Sequence, residues 1–156
     1  MMDIQSSGRQ RADRVYCPIR RHWVAAIPEE IVRQKLIRKM ISELEFPKSL
    51  IAVEKEIASL PNHPDCPQAL PKRRLDLVCY ATVKTGVAPL LVAECKSIPL
   101  NESAERQLFG YNASVGAPFM CLASGSEIKT LWKEGGRIVS VPFLPRYSEL
   151  LKALCC

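Results

Sequence analysis

The sequence predicts an α/β protein in which a central mixed β-sheet is flanked by helices. Three observations lead there. Two apolar runs, LDLVCY (75–80) and PLLVAEC (89–95), lie on either side of Lys84-Thr85-Gly86 and read as paired strands. Two segments, 29–45 and 101–114, carry apolar residues at helical spacing. The elements also interleave, in the order α-β-β-β-α-β followed by a hairpin, and this is the pattern of layered α/β folds.

Residues 1–13 are polar and predict a disordered tail, with 14–156 as a single domain. Val15 to Ile27 reads as a short strand pair or an extended arm. Pro28-Glu29-Glu30 opens a helix, because Pro has no N–H to lose in the first turn and acidic side chains suit the positive end. Ile37, Met40, Ile41 and Leu44 keep helical spacing, so the helix covers 29–45, and Phe46-Pro47 ends it. Leu50 to Ile57 is a strand, and Ser59 to Lys72, with four prolines, is a loop. Arg74 to Val83 and Val87 to Lys96 are strands. Asn101 to Ser114 is a helix with Ala104, Leu108, Tyr111 and Val115 on one stripe. Pro118 to Ala123 is a buried strand. Ile128 to Trp132 and Arg137 to Val141 pair across Glu134-Gly135-Gly136, and 146–154 is a short last helix.

Composition removes several classes. Hydrophobic residues make up 47% and charged residues 24% of 156, which is ordinary for a folded protein and not for a disordered one. No apolar run is long enough to span a bilayer, and the start lacks the apolar core of a signal peptide. Seven cysteines form an odd, scattered set without CxxC, which fits a reducing cytoplasm; Cys79, Cys95 and Cys121 sit in strand-like runs as small buried hydrophobes. His63 and Cys66 share a Pro-rich loop, a weak metal signal without a second pair. With no Gly-rich dinucleotide loop, no nucleophile elbow and only His22 and His63 as histidines, a small-molecule enzyme has little support.

The net charge is +6, and the surplus is concentrated early: residues 1–50 hold ten basic against six acidic residues, while 51–100 and 101–156 each hold six against five. Lys72, Arg73 and Arg74 add a local cluster. Such a surplus reads either as a surface for a phosphate backbone or as an ordinary solvated face.

The sharpest chemical signal is Asp76 with Glu94-Cys95-Lys96. Strand side chains alternate, so Glu94 and Lys96 share a face and Cys95 takes the other. A three-residue turn at Lys84-Thr85-Gly86 sets Val83 opposite Val87, Tyr80 opposite Leu90, Val78 opposite Val92 and Asp76 opposite Glu94. Two carboxylates at the end of an apolar hairpin repel each other and lose hydration unless a cation compensates. Lys96 is one such cation, in a plain salt bridge. A divalent ion is another, since hard cations take carboxylate oxygens.

D-x(17)-E-C-K on a hairpin between two helices resembles the PD-(D/E)xK nuclease superfamily. The segments PEEIVRQKLIRKMI, FPKSLIAVEKEI, KRRLDLVCY, PLLVAECKS and QLFGYNASVGAPFMCLASG are similar to the N-terminal nuclease domain of type I restriction enzyme R subunits, in its short stand-alone form, over about residues 18 to 132. The resemblance implies a restriction-endonuclease-like core and Mg²⁺-dependent hydrolysis of DNA, with Mn²⁺ as a substitute ion. It implies Asp76, Glu94 and the Cys95 carbonyl as metal ligands, Lys96 as the catalytic lysine, and Gln107 and Tyr111 as the Q-x-x-x-Y pair that positions the strand or Lys96. For Tyr111, core packing is the alternative. Glu30, on the inward stripe of the first helix, stands for the superfamily's helix glutamate, with helix capping as its alternative; Glu54 is a rival. Arg33 lies near the same stripe, and with Arg74 in the R-x-D position it is expected to position substrate. The motif's proline is displaced to Pro71.

No GxxxxGK[ST] is present, so the expected protein lacks an ATP motor. The expected function is a cytoplasmic metal-dependent deoxyribonuclease, an endonuclease of the restriction-modification type. Its expected partners are DNA, a second copy in a homodimer, and separate motor or methylase proteins, with no membrane. The alternative is a catalytically silent DNA- or protein-binding module on the same fold.

Overall fold

Every position from Leu75 to Ala81 is buried, and so is every position from Leu90 to Cys95. A strand without a wet face has to lie inside a sheet that is covered on both sides. The computed structural model, which describes residues 13–56 and 74–154, places both runs there. A six-stranded sheet is formed by β3 (Ile51–Glu56), β4 (Arg74–Val83), β5 (Gly86–Cys95), β6 (Phe119–Ala123), β7 (Ile128–Glu134) and β8 (Arg137–Val141), in spatial order β3-β4-β5-β6-β7-β8. β5 and β6 are parallel and all other neighbours antiparallel, so the sheet is mixed. A separate two-stranded ribbon precedes it: β1 (Arg14–Cys17) and β2 (His22–Ala25).

The helices are α1 (Pro28–Ser42), α2 (Glu102–Val115) and α3 (Tyr147–Leu154). On one face of the sheet Leu77, Cys79, Leu91 and Cys121 share a core with Ile37 and Met40 of α1 and Leu150 of α3. On the other, Val78, Val92, Met120 and Leu122 pack with Ala104 and Leu108 of α2. Ile37 and Met40 are fully buried, each stabilising by roughly 1.5–3 kcal/mol relative to exposure. The parallel β5–β6 pair requires a crossover, which α2 supplies. Asn101 caps its start, the side chain accepting from the Ala104 N–H at 2.8 Å, and Gly116 ends it with φ 76°.

Some local expectations are revised. The first helix stops at Ser42 rather than residue 45, because Glu45 takes φ 58° and the Phe46 N–H closes back on the Met40 carbonyl at 3.0 Å. The β7–β8 turn is Gly135-Gly136 alone, both at positive φ, so β7 runs on to Glu134. The β4–β5 turn is two residues, Lys84-Thr85, with Val83 opposite Gly86, not three with Val83 opposite Val87. Tyr80 consequently faces Pro89 rather than Leu90. A bulge at Cys79/Tyr80 then inserts one residue, and Val78 meets Val92 as expected. Pro89 has no N–H for the ladder, and strand prolines are confined to such irregular places.

The expected disorder of 1–13 falls, Asp13 apart, outside the described residues, as does the 59–72 loop with His63, Cys66 and Lys72. Asp13 itself accepts the Ala26 N–H through its carbonyl at 2.9 Å. No helix among the described residues is long and apolar enough to cross a membrane.

Candidate active site

Three adjacent strands bring three acidic residues into one row. Val53 pairs with Leu77 and Lys55 with Leu75, so Glu54 lies opposite Asp76. Leu77 pairs with Ala93, the last pair of the β4–β5 ladder, and Asp76 and Glu94 are the next residue on each strand. Contacts agree with this placement. The Asp76 N–H lies 3.4 Å from Glu94 Oε1, and the Cys95 N–H donates to Asp76 Oδ2 at 2.7 Å. Asp76 and Glu94 are both buried at the end of the apolar hairpin.

Burial and the Asp76 charge push the Glu94 carboxyl up from an ordinary 4.5 to about 8. Lys96, two residues on and on the same side, acts in the opposite sense. Its ammonium donates to Gln107 Oε1 on α2 at 2.9 Å. One turn further, Tyr111 is half-buried against the α2-side core. The Q-x-x-x-Y pair thus lies along α2, and Gln107 holds the lysine directly. The Lys96 N–H donates to the Ala123 carbonyl of β6 at 2.8 Å, which fixes the start of the segment after β5.

α1 supplies the other half of the site. Glu30 and Arg33 are buried on its inner face, three residues apart and ion-paired. Arg33 Nη2 also donates to Asp76 Oδ1 at 2.7 Å, and Nη1 lies 3.0 Å from Glu54 Oε1. Burial works against the Arg33 charge, but Asp76, Glu30 and Glu54 outweigh it and hold the guanidinium protonated. Glu30 accepts as well from Gln34 Nε2 at 3.0 Å and from Arg20. Glu30 and Glu54 therefore enter the same cluster, both tied through Arg33 to Asp76. Glu54 is the more exposed of the two and sits at φ 52°, in the left-handed region, which strains a non-glycine residue by about 1–2 kcal/mol. Arg33 was expected to meet substrate; here it is buried among carboxylates. The side chain of Arg74 lies outside the described residues.

Sequence reasoning missed Arg20. It sits in the turn of the β1–β2 ribbon, where its backbone N–H and Nε both bond Cys17 Sγ, and Nη1 lies 3.3 Å from Glu54 Oε2. Nothing in the local sequence marks it, since its partners lie 10 and 34 residues away.

Among the described residues, no group of three or more His, Cys, Asp or Glu side chains is set to hold a metal ion. The donors that do converge are two carboxylates, Asp76 and Glu94. Both are hard oxygen ligands, and Mg²⁺ is commonly held by one or two carboxylates with water completing its shell. Glu30, Glu54, Asp76 and Glu94 face two guanidiniums and the Lys96 ammonium, so the cluster is short of positive charge when every carboxylate is ionised. Either a proton on Glu94 or a cation makes up the difference. Oδ1 and Oδ2 of Asp76 already accept hydrogen bonds, but each retains a second lone pair. The residues present therefore fit a hard divalent ion.

Residues 28–145 match the family described as type I restriction enzyme R protein N terminus. The chain belongs to that family. A fragment assigned as an HsdR subunit of a type I restriction enzyme from Vibrio vulnificus YJ016 has the same fold as this R-protein N-terminal domain. The TM-score is 0.56 at 18% identity, over 82% of this chain and 24% of that one. The chain thus spans about a quarter of the length of the solved protein that it matches. No curated protein sequence matches it.

Proposed function

We propose that this R-protein N-terminal domain is a Mg²⁺-dependent deoxyribonuclease that cuts within DNA strands, with Mn²⁺ as a working substitute. The observation that carries the reading is the meeting of two buried carboxylates, Asp76 and Glu94, at the ends of adjacent strands, with Lys96 two residues on held by Gln107. Buried like charges that close are disfavoured by folding alone, and a hard cation is the partner that removes the penalty.

Asp76, Glu94 and the Cys95 carbonyl would hold the ion, which when bound supplies Lewis-acid neutralisation of charge on the scissile phosphate. The chain's own groups do the rest. Lys96, oriented through its bond to Gln107, directs an N–H toward the phosphate or the attacking water and offsets the negative charge that builds there. Glu94, which holds its proton up to about 8 in the metal-free site, would give that proton up on taking the ion, and the attacking water would lose its own proton to solvent. The water oxygen bonds phosphorus as the phosphorus–oxygen bond to the leaving nucleotide breaks. Arg33 and the Cys95 N–H fix the Asp76 carboxylate from both of its oxygens. Cutting both strands of a duplex calls for two such sites, so a homodimer belongs to the proposal, as do the motor and methylase proteins of a type I system.

Lys96→Ala is expected to lower Mg²⁺-dependent plasmid cleavage by 100-fold or more, on the order of general acid–base and electrostatic contributions, with the circular dichroism unchanged. Full cleavage by that variant would remove the assignment. A second reading, a silent binding module, is favoured by one observation: Arg33 and Cys95 already occupy both Asp76 oxygens. Calorimetric titration separates the two. Retained DNA binding with no heat from Mg²⁺ or Mn²⁺ would select the silent module.

A further inference from the structure

The β1–β2 ribbon exposes a face that the active-site reading does not use. Cross-strand partners share a face, so Arg14, Tyr16, Trp23 and Ala25 lie on one side, and Val15, Cys17, His22 and Val24 on the other. The second side packs inward: Cys17 is fully buried in the main core, and Ile19 of the turn leans on it. The first side faces solvent throughout, with Tyr16 41% and Trp23 49% exposed. Their rings meet edge to face at 5.6 Å. Leaving two large aromatics in water forfeits a burial that the inward side of the same ribbon obtains.

Its charge says what would cover them. From Asp13 to Ala25 the ribbon carries Arg14, Arg20 and Arg21 against the single acid Asp13. Arg20 is spent on Glu30 and Glu54, whereas Arg14 and Arg21 are exposed and make no ion pair among the described residues. The ribbon is also wired to the candidate site. Arg20 in its turn bonds Glu30, Glu30 bonds Arg33, and Arg33 bonds Asp76.

We propose that this ribbon is a stacking platform for unpaired nucleotides, with bases on Trp23 and Tyr16 and phosphates at Arg14 and Arg21. Aromatic faces interleaved with cations are how proteins hold single strands without reading sequence. Insertion into a duplex major groove would instead call for side chains that hydrogen-bond base edges, and between Arg14 and the turn this face offers only Tyr, Trp and Ala. The inference rests on the nuclease reading in taking nucleic acid as the partner, and it narrows the substrate to DNA with an unpaired stretch beside the scissile bond, such as a flap, bubble or overhang.

The test is binding in EDTA, where hydrolysis plays no part. The chain has two tryptophans, and Trp132 packs edge to face on Phe119. In a Trp132→Phe protein, Trp23 alone reports. Its emission should be quenched by a short oligodeoxythymidylate and much less by a duplex of equal length. Trp23→Ala should weaken the single strand by on the order of 10- to 100-fold, and Trp23→Phe should retain most of the affinity. Unquenched emission with bound oligonucleotide, or equal losses on single strand and duplex, overturns the platform whatever the ribbon variants do to folding. Cleavage is scored separately with Mg²⁺. A protein that cuts DNA without quenching loses only this inference, and one that quenches without cutting loses only the nuclease reading.

Discussion

Glu94→Gln offers a direct measure of how the carboxylate pair is neutralised. In the metal-free fold Glu94 keeps its proton up to about 8, whereas in the unfolded chain it releases it near 4.5. Between those values the folded state binds more protons than the unfolded one, so stability must fall as pH rises through that window and level off above it. At about 1.4 kcal/mol per pH unit the full interval amounts to at most about 5 kcal/mol. Solvent screening at the end of the sheet takes part of this, so the measurable part is a few kcal/mol. Glutamine reproduces the protonated carboxyl and does not titrate. In EDTA, wild type and Glu94→Gln should unfold in urea with similar free energies near pH 5, and the variant should be the more stable by a few kcal/mol at pH 8. A gap between the two that stays constant from pH 5 to pH 8 would show that Glu94 does not hold its proton across the neutral range, and the argument for a charge-deficient site would fail with it.

Two further outcomes follow from the same cluster. Arg33→Ala removes the cation common to Glu30, Glu54 and Asp76 and takes from buried Asp76 its guanidinium; a loss of about 3–5 kcal/mol is expected in chemical denaturation, and a loss within experimental error would mean that the other contacts hold these carboxylates without Arg33. Gln107→Ala frees the Lys96 ammonium without touching the carboxylates; kcat for cleavage should drop by about tenfold, equivalent to about 1.4 kcal/mol, with DNA affinity in EDTA unaltered, and an unaltered kcat would deny Gln107 a positioning role.

Much of this could be read in the chain because the physics involved was local. Apolar runs without a polar alternate announced β4 and β5 as interior strands, and the spacing of Ile37 and Met40 placed Glu30 on the buried side of α1. The register that leads toward Asp76 and Glu94 was legible even with a turn of another length: the expected three-residue loop and the observed two-residue loop plus bulge give the same pairs from Cys79 to Leu77. Only the outer hairpin differs, at Tyr80 and Val83. The ion-pair network was not legible. Arg20, Arg33 and Glu54 carry ordinary surface identities, and what buries Arg33 and half-buries Arg20 is the approach of α1 and the ribbon turn to the end of the sheet, a fact of three dimensions with no periodic trace. The aromatic side of the ribbon was hidden for a related reason. With four residues per strand, alternation is too brief to say which side is wet.

The irregularity at Cys79/Tyr80 has a consequence for how this chain tolerates change. Removing it while keeping the tight turn would slide β5 by one step relative to β4, and every side chain beyond that point would swap sides. Ala93 would then stand across from Asp76, and Glu94 would lose its place beside it. The number of residues separating the two acids works as a rotational setting, like teeth on a gear. A relative that gains or loses one residue in this stretch must make a second, opposite adjustment to keep its two acids together.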